Sequence, residues 1–271
     1  MNKKRAAKTP DRYECYELAA QSPDMQARFL RALHTAPHET PLVFGEDFCG
    51  AGAVTRAFLS LHETATAVCV DADTEPLQRL GAESDQSTLD RLTIRHCDVR
   101  HALDPVDILA VLNFSICEIH HRADLVAYLR HARSRIRPGG VLIIDIYAGA
   151  DAFITGESDA EVRGGLRYVW EQREANPLTG RVINAMHFYP KNAEPLEDAF
   201  VYDWRLWSVP ELRDALTEAG FAHTDCYDRL GDAVDDEGRV YVAPVEDPDE
   251  LEDNFVLYIA ARLEPHHGSP E

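Results

Sequence analysis

The chain has 271 residues, enough for one α/β domain carrying an insertion but short for two full domains. With 45% hydrophobic residues it can bury a sizeable core, yet no apolar run approaches the roughly 20 residues that span a bilayer. Its formal net charge of -20 repels phosphate backbones and anionic lipid, which argues against nucleic-acid and membrane partners.

Residues 1–40 read as a basic tail, MNKKRAAKTP, followed by a leader helix; no apolar stretch follows the tail, so it is not a secretory signal. Residues 41–150 then alternate short apolar runs with helical patterns. PLVFGEDF, TAVCVD, LTIRHCD, VDILAVLNF and GVLIIDIY lack a polar alternation, as strands covered on both faces do. Between the last two, Leu125, Leu129, Ala132 and Ile136 recur at helical spacing, and Arg137-Pro138-Gly139-Gly140 ends that helix. The fold class this predicts is α/β, a doubly wound parallel sheet. Residues 151–208 are aromatic-rich runs parted by Asn176-Pro177 and Lys191-Asn192, and they predict an antiparallel meander added to the main sheet. Residues 209–263 give a helix capped by Ser208 and Gly220, then two closing strands, FAHTDCYD and NFVLYIAARL, with a solvated acidic loop between Asp232 and Asp253. Residues 264–271 read as a disordered tail.

The cysteines Cys15, Cys49, Cys69, Cys97, Cys117 and Cys226 form no CxxC pair. Free, mostly buried thiols in a reducing cytoplasm fit them better than disulfides or zinc.

FGEDFCGAGAVTRAF carries the most chemistry. An apolar strand ends at Glu46-Asp47, a Gly50-x-Gly52 turn follows, and a helix begins at once. Glycines let a ligand approach the backbone, and the helix start presents unpaired N–H groups. Asp71 closes the second strand about twenty residues on, where a carboxylate meets a ribose diol. Asp98 and Asn113 close the third and fourth strands, so polar groups gather at the carboxyl edge where doubly wound sheets bind ligands. A dinucleotide fingerprint would place glycine or alanine three positions after Gly52; this chain has Thr55. An acid before the glycines, Glu46 or Asp47, repels a phosphate and suits a sulfonium or ammonium group. S-adenosylmethionine is therefore expected over NAD.

EDFCGAG, VDADTEPL, CDV, LNFSI, RPGGVLIID and PELRDALTEAGF, in this order, resemble the motifs of class I S-adenosylmethionine-dependent methyltransferases over about residues 40 to 262. The chain is most similar to a bacterial group whose glycine loop reads EDFCGT and whose leader contains a YELAVQSP-like segment, here Tyr16 to Pro23. The commoner loop begins with a glycine where this chain has Phe48. The resemblance implies a Rossmann-like, seven-stranded sheet with the last strand antiparallel. It implies that Glu46, Gly50 and Gly52 cradle the methionine end, Asp71 holds the ribose, Asp98 with Val99 holds the adenine, and Asn113 walls the sulfonium. Phe48, Cys49, Ala72 and Phe114 lie in the same motifs, with Cys49 at the methionine end, and a leader helix bearing Tyr16 and Gln21 closes over the donor.

Methyl transfer needs a general base only when the acceptor holds its proton near neutral pH. His120, His121, Asp145, Tyr147 and His187 are candidates, and at most one of the adjacent His120 and His121 faces inward. No metal site is expected: Pro37 interrupts His34 and His38, and HExxH is absent. The fourth strand reads Asn113-Phe114-Ser115-Ile116, not the N/D-P-P-Y/F of nucleic-acid amino methyltransferases, which favours a small-molecule acceptor. Tyr168, Trp170, Tyr202 and Trp204 suit packing, a homodimer contact or an acceptor pocket. An NAD-dependent oxidoreductase and a non-catalytic binding protein of the same fold are the competing readings.

Overall fold

The computed structural model describes residues 11–34 and 41–263, apart from 229, 232 and 237. His38 and both tails lie outside them. Two helices come first, α1 (Arg12–Ala20) and α2 (Pro23–Leu33). Asp11 starts α1 with a capping box, its carboxylate accepting from Tyr13 and Glu14 N–H while Glu14 reaches back to the Asp11 N–H.

The apolar runs become β1 (Val43–Asp47), β2 (Thr66–Asp71), β3 (Leu92–His96), β4 (Val106–Val111) and β5 (Ile136–Ala148), paired in parallel. Their crossovers carry α3 (Ala53–Leu61), α4 (Thr74–Glu83), the single turn α5 (Gln86–Leu89) and α6 (Arg122–Arg135). The meander comprises β6 (Gly156–Val162), β7 (Leu166–Asn176), β8 (Arg181–Pro190) and β9 (Leu196–Arg205). Then follow α7 (Val209–Ala219), β10 (His223–Tyr227), the two-residue strands β11 (Ala233–Val234) and β12 (Val240–Tyr241), and β13 (Phe255–Arg262). Ser208 caps α7 by accepting the Glu211 N–H, and Gly220 ends it at φ 96°.

The main sheet has seven strands in the order β10-β13-β5-β4-β1-β2-β3, with β13 antiparallel to both neighbours. Strand order reverses between β1 and β4, so the carboxyl end of β1 opens at the switch point. Phe44 stacks on Phe58 at 4.4 Å in a core where Leu30, Leu33, Ile108 and Ile143 are fully or almost fully buried. Each such side chain contributes about 1.5–3 kcal/mol by leaving water.

The meander does not extend this sheet, contrary to expectation. It forms its own four-stranded sheet in the order β6-β7-β8-β9. The insertion leaves the chain after β5, which β4 and β13 already flank, so no free edge exists there. The described chain accordingly divides into two units: α1 and residues to Ser22 with Phe153–Arg205, and Pro23–Ala152 with the chain from Leu206. Within the first, Cys15 and Tyr16 of α1 pack on Leu166, Met186, Phe188 and Ala199. Within the second, the acidic stretch is tied down, because Arg28 Nη1 donates to the Gly238 carbonyl at 2.9 Å and Val240 is buried. All six cysteines are free. Among the described residues, no helix is long and apolar enough to cross a membrane.

Candidate functional site

Three residues of the turn after β1 take left-handed backbone: Phe48 at φ 57°, Gly50 at 53° and Gly52 at 65°. The two glycines serve different ends. A Cβ at Gly52 would lie 2.7 Å from Leu80 Cδ1, so close packing on α4 excludes a side chain. A Cβ at Gly50 would meet nothing within 4 Å, which leaves room over the bend for a ligand. Gly52 also opens α3 with no side-chain cap, so the helix start presents backbone donors there. Phe48 holds its left-handed backbone without the freedom of glycine, at a cost of about 1–2 kcal/mol for a non-glycine residue. Its ring meets Tyr128 edge-on at 6.0 Å.

Asp71 is joined to this turn. Its Oδ2 accepts the Gly50 N–H at 2.7 Å and its Oδ1 the Asp73 N–H at 2.9 Å, so each oxygen keeps a further lone pair. Burial raises its pKa despite these bonds. Glu46 is 2% exposed, and Oε2 accepts the Thr55 hydroxyl at 2.5 Å and the Thr55 N–H at 3.2 Å. Burial pushes its carboxyl up to about 7. Thr55 is thus the partner of Glu46, and the Cys69 thiol lies 3.1 Å from its hydroxyl. Asp47 serves another purpose: it is fully buried, with both oxygens on Arg135 Nη1 at 2.9 and 2.8 Å and Oδ2 on the Tyr128 hydroxyl at 2.8 Å.

Farther along the edge, Val99 is buried at the start of a short turn, and the exposed Ala72 carbonyl lies 2.9 Å from His96 Nε2. Asp98 is engaged by Arg100, whose Nε and Nη2 lie 2.8 and 2.5 Å away and whose hydrogen bonds hold the carboxyl down at about 2. The Cys49 side chain packs with Cys69, Leu77 and Leu80, and its thiol lies 3.7 Å from the Gly50 carbonyl. The Cys69 contact, followed by burial, holds that thiol well above its ordinary pKa, so it is protonated.

At the end of β4, Asn113 and Phe114 are both left-handed, at φ 56° and 62°. Asp145 at the end of β5 stabilises this bend, accepting the Asn113 N–H at 2.9 Å and the Phe114 N–H at 2.7 Å. It is 3% exposed, and burial pushes its carboxyl up to about 7. Asp145 is therefore engaged with the backbone, a role that its position 32 residues away concealed. Tyr147 is buried with its ring 5.2 Å from that of Phe114. His120 is half-buried, and His121 is exposed at the N-cap of α6.

The remaining candidates belong to the other unit. The Tyr16 ring packs edge-on to Phe200 at 5.2 Å, and Gln21 closes α1. His187 Nδ1 accepts the Asp198 N–H at 3.0 Å, so its proton sits on Nε2, 3.1 Å from Glu171 Oε2. Glu171, His187 and Asp198 are close enough to hold a metal ion, but the geometry opposes it. Arg173 already pairs with both carboxylates, and metal on Nε2 would drive the proton onto Nδ1 against the Asp198 N–H.

Residues 48–140 match the family model of a methyltransferase domain. No curated protein matches the chain. Among solved structures the chain is similar to an S-adenosylmethionine-dependent methyltransferase from Clostridium acetobutylicum, with 14% identity, TM-score 0.71, and 93% of this chain and 97% of that one covered. It is similar to an amino pentose methyltransferase from Micromonospora echinaspora, solved with S-adenosylmethionine bound, at 16% identity, TM-score 0.67 and coverage of 95% and 99%. A sugar N-methyltransferase from Streptoalloteichus gives 15% identity, TM-score 0.65 and coverage of 97% for both chains. The fold is thus that of the Rossmann-like methyltransferases.

Proposed function

We propose that the protein is a methyltransferase that takes a methyl group from S-adenosylmethionine and passes it in line to a small-molecule acceptor. The observation that carries this reading is the 2.7 Å bond between Asp71 and the Gly50 N–H, which supports reading Asp71 as the ribose acid and the glycine bend as the facing wall of the same crevice. Bound S-adenosylmethionine supplies a methyl carbon already activated by its sulfonium.

The chain's own residues bind, orient and exclude water. The free lone pairs of Asp71 accept the ribose hydroxyls, and the open side of Gly50 with the uncapped start of α3 receives the amino-acid end. Glu46, whose carboxyl burial raises to about 7, adds negative potential beneath the turn once it ionises, where the donor is cationic. Val99 and Asp98 flank the base, with Arg100 giving up one hydrogen bond if the Asp98 carboxylate takes the adenine amino group. Asn113 and Phe114, fixed by Asp145, form the wall beside the reacting carbon. Where the acceptor must lose a proton, His120, His121 or Tyr147 takes it; Tyr147 is favoured by its ring contact with Phe114. The sugar substrates of the two sugar-directed relatives support a small polar acceptor.

Thr55 argues against a dinucleotide, because a threonine bonded to Glu46 occupies the place of the glycine that lets a helix pack beside pyrophosphate. Calorimetry with S-adenosylmethionine, S-adenosylhomocysteine and NAD tests the reading: the two sulfur nucleosides are expected to bind and NAD is not. Binding of NAD alone would refute it.

A further inference from the structure

We infer that the buried pair Asp47–Arg135, together with the Tyr128 hydroxyl, positions the glycine turn for donor binding, so that α6 controls a site to which it contributes no contact of its own. This rests on the donor reading above.

Asp47 is the residue before Phe48, the first left-handed position of the turn. Arg135 is the last residue of α6, and Tyr128 stands two turns earlier on the same helix. Asp47 is 0% and Arg135 2% exposed, and the Asp47 carboxylate accepts three bonds, two from Nη1 and one from the phenol. Arg135 Nε also reaches the Asp104 carbonyl, at 3.4 Å. Such a pair is weak evidence for stability, because removing two charges from water offsets their attraction, and apolar side chains of like volume are often as stable. What the pair adds is direction: a carboxylate held by two donor groups of one helix, Arg135 Nη1 and the Tyr128 hydroxyl, fixes the orientation of its own backbone.

That orientation matters at the next residue. Phe48 holds φ 57° without the freedom of glycine, and its ring rests on Tyr128, the residue whose hydroxyl bonds Asp47. Beyond it, Cys49 N–H donates to the Val70 carbonyl at 3.1 Å and Gly50 N–H to Asp71 at 2.7 Å. The turn is therefore pinned from two sides, residues 47 and 48 by α6 and residues 49 and 50 by β2. Releasing the α6 side lets Phe48 relax toward ordinary backbone, which pulls the Gly50 N–H from Asp71 and closes the ligand space.

The test is S-adenosylhomocysteine affinity by calorimetry, with thermal midpoint and amide hydrogen exchange at residues 48–50, on the full chain. The double variant Asp47→Leu/Arg135→Met removes both charges and keeps the volume. It leaves the buried Tyr128 hydroxyl without its acceptor, so it is expected to melt below wild type, to lose amide protection at Gly50, and to bind about tenfold more weakly at a temperature where it is fully folded, as for a turn in its binding shape about a tenth of the time. Tyr128→Phe, which removes one hydroxyl and no packing, is expected to weaken binding about threefold, the fold-change of a partly populated turn, and serves if the double variant does not fold. Wild-type affinity and protection in a folded variant would overturn the inference, since a merely structural role would move only the midpoint. If the wild-type protein binds no S-adenosylhomocysteine, the donor reading and this inference both fall.

Discussion

Replacing Asp71 with alanine removes the acceptor for the Gly50 and Asp73 N–H groups and, in the proposed donor site, both ribose acceptors at once. Hydrogen bonds to a charged group are worth about 1.5–3 kcal/mol each, and Asp71 is only half-buried, so the lower end applies. Two ribose bonds at that end total about 3 kcal/mol, or roughly a hundredfold in the dissociation constant. Loosening of the turn adds to this loss. The variant should stay folded, because its carboxylate lies at the rim and the backbone donors left behind can meet water. Isothermal calorimetry with S-adenosylhomocysteine, beside a thermal melt of each protein, measures both quantities. An affinity within about threefold of wild type, less than 1 kcal/mol, would show that Asp71 does not hold the ribose.

The two glycines should separate stability from binding. Gly52→Ala sets a Cβ 2.7 Å from Leu80 and forces a left-handed alanine, so it should lower the melting temperature by the equivalent of about 1–2 kcal/mol or more. Gly50→Ala forces the same left-handed alanine, at about 1–2 kcal/mol, but meets no protein atom within 4 Å, so it should melt above Gly52→Ala and weaken donor binding beyond what its own melting loss explains; melting as low as that of Gly52→Ala would contradict the open space at Gly50. Glu46 and Asp145 both titrate near about 7 because burial disfavours their charged forms. The folded protein therefore binds more protons than the unfolded chain between the ordinary carboxylate range and about 7, and their contribution to stability falls as pH rises through that window. Melting temperatures from pH 5 to 8 should decline, less steeply in Glu46→Gln and Asp145→Asn, and unchanged slopes in both variants would refute the assignment of these two groups. Asp145→Asn exchanges one carboxylate acceptor for an amide donor facing a backbone N–H, and it should disturb the Asn113–Phe114 bend and raise the acceptor KM more than the donor KM.

What the sequence disclosed was local. Continuous apolar runs, the glycine bend, the strand-end acids and the Ser208 and Gly220 caps are all written within a dozen residues, and periodicity and capping rules reach that far. Pairings across long separations are not written locally. Arg135 meets Asp47 across 88 residues, and Asp145 takes up the N–H groups of Asn113 and Phe114 from another strand. Either carboxylate, seen in sequence, could as well have faced ligand. Strand β6 was missed because GESDAEV is polar throughout and exposed along nearly its whole length, so it has no buried face to set a pattern. Thr55 was read only as the lack of a glycine, and its bond to Glu46 supplies the positive reason for its presence. Cys49 sits in the glycine turn, and its packing with Cys69, Leu77 and Leu80 could not be read from the loop alone, because sequence gives a residue's place in a loop but not the side of the backbone its side chain leaves.

A crystal structure with S-adenosylhomocysteine bound tests the donor assignment most directly. The ribose hydroxyls are expected on the Asp71 carboxylate and the homocysteine end along Gly50 and the start of α3. A nucleoside lodged anywhere out of reach of Asp71 would contradict it.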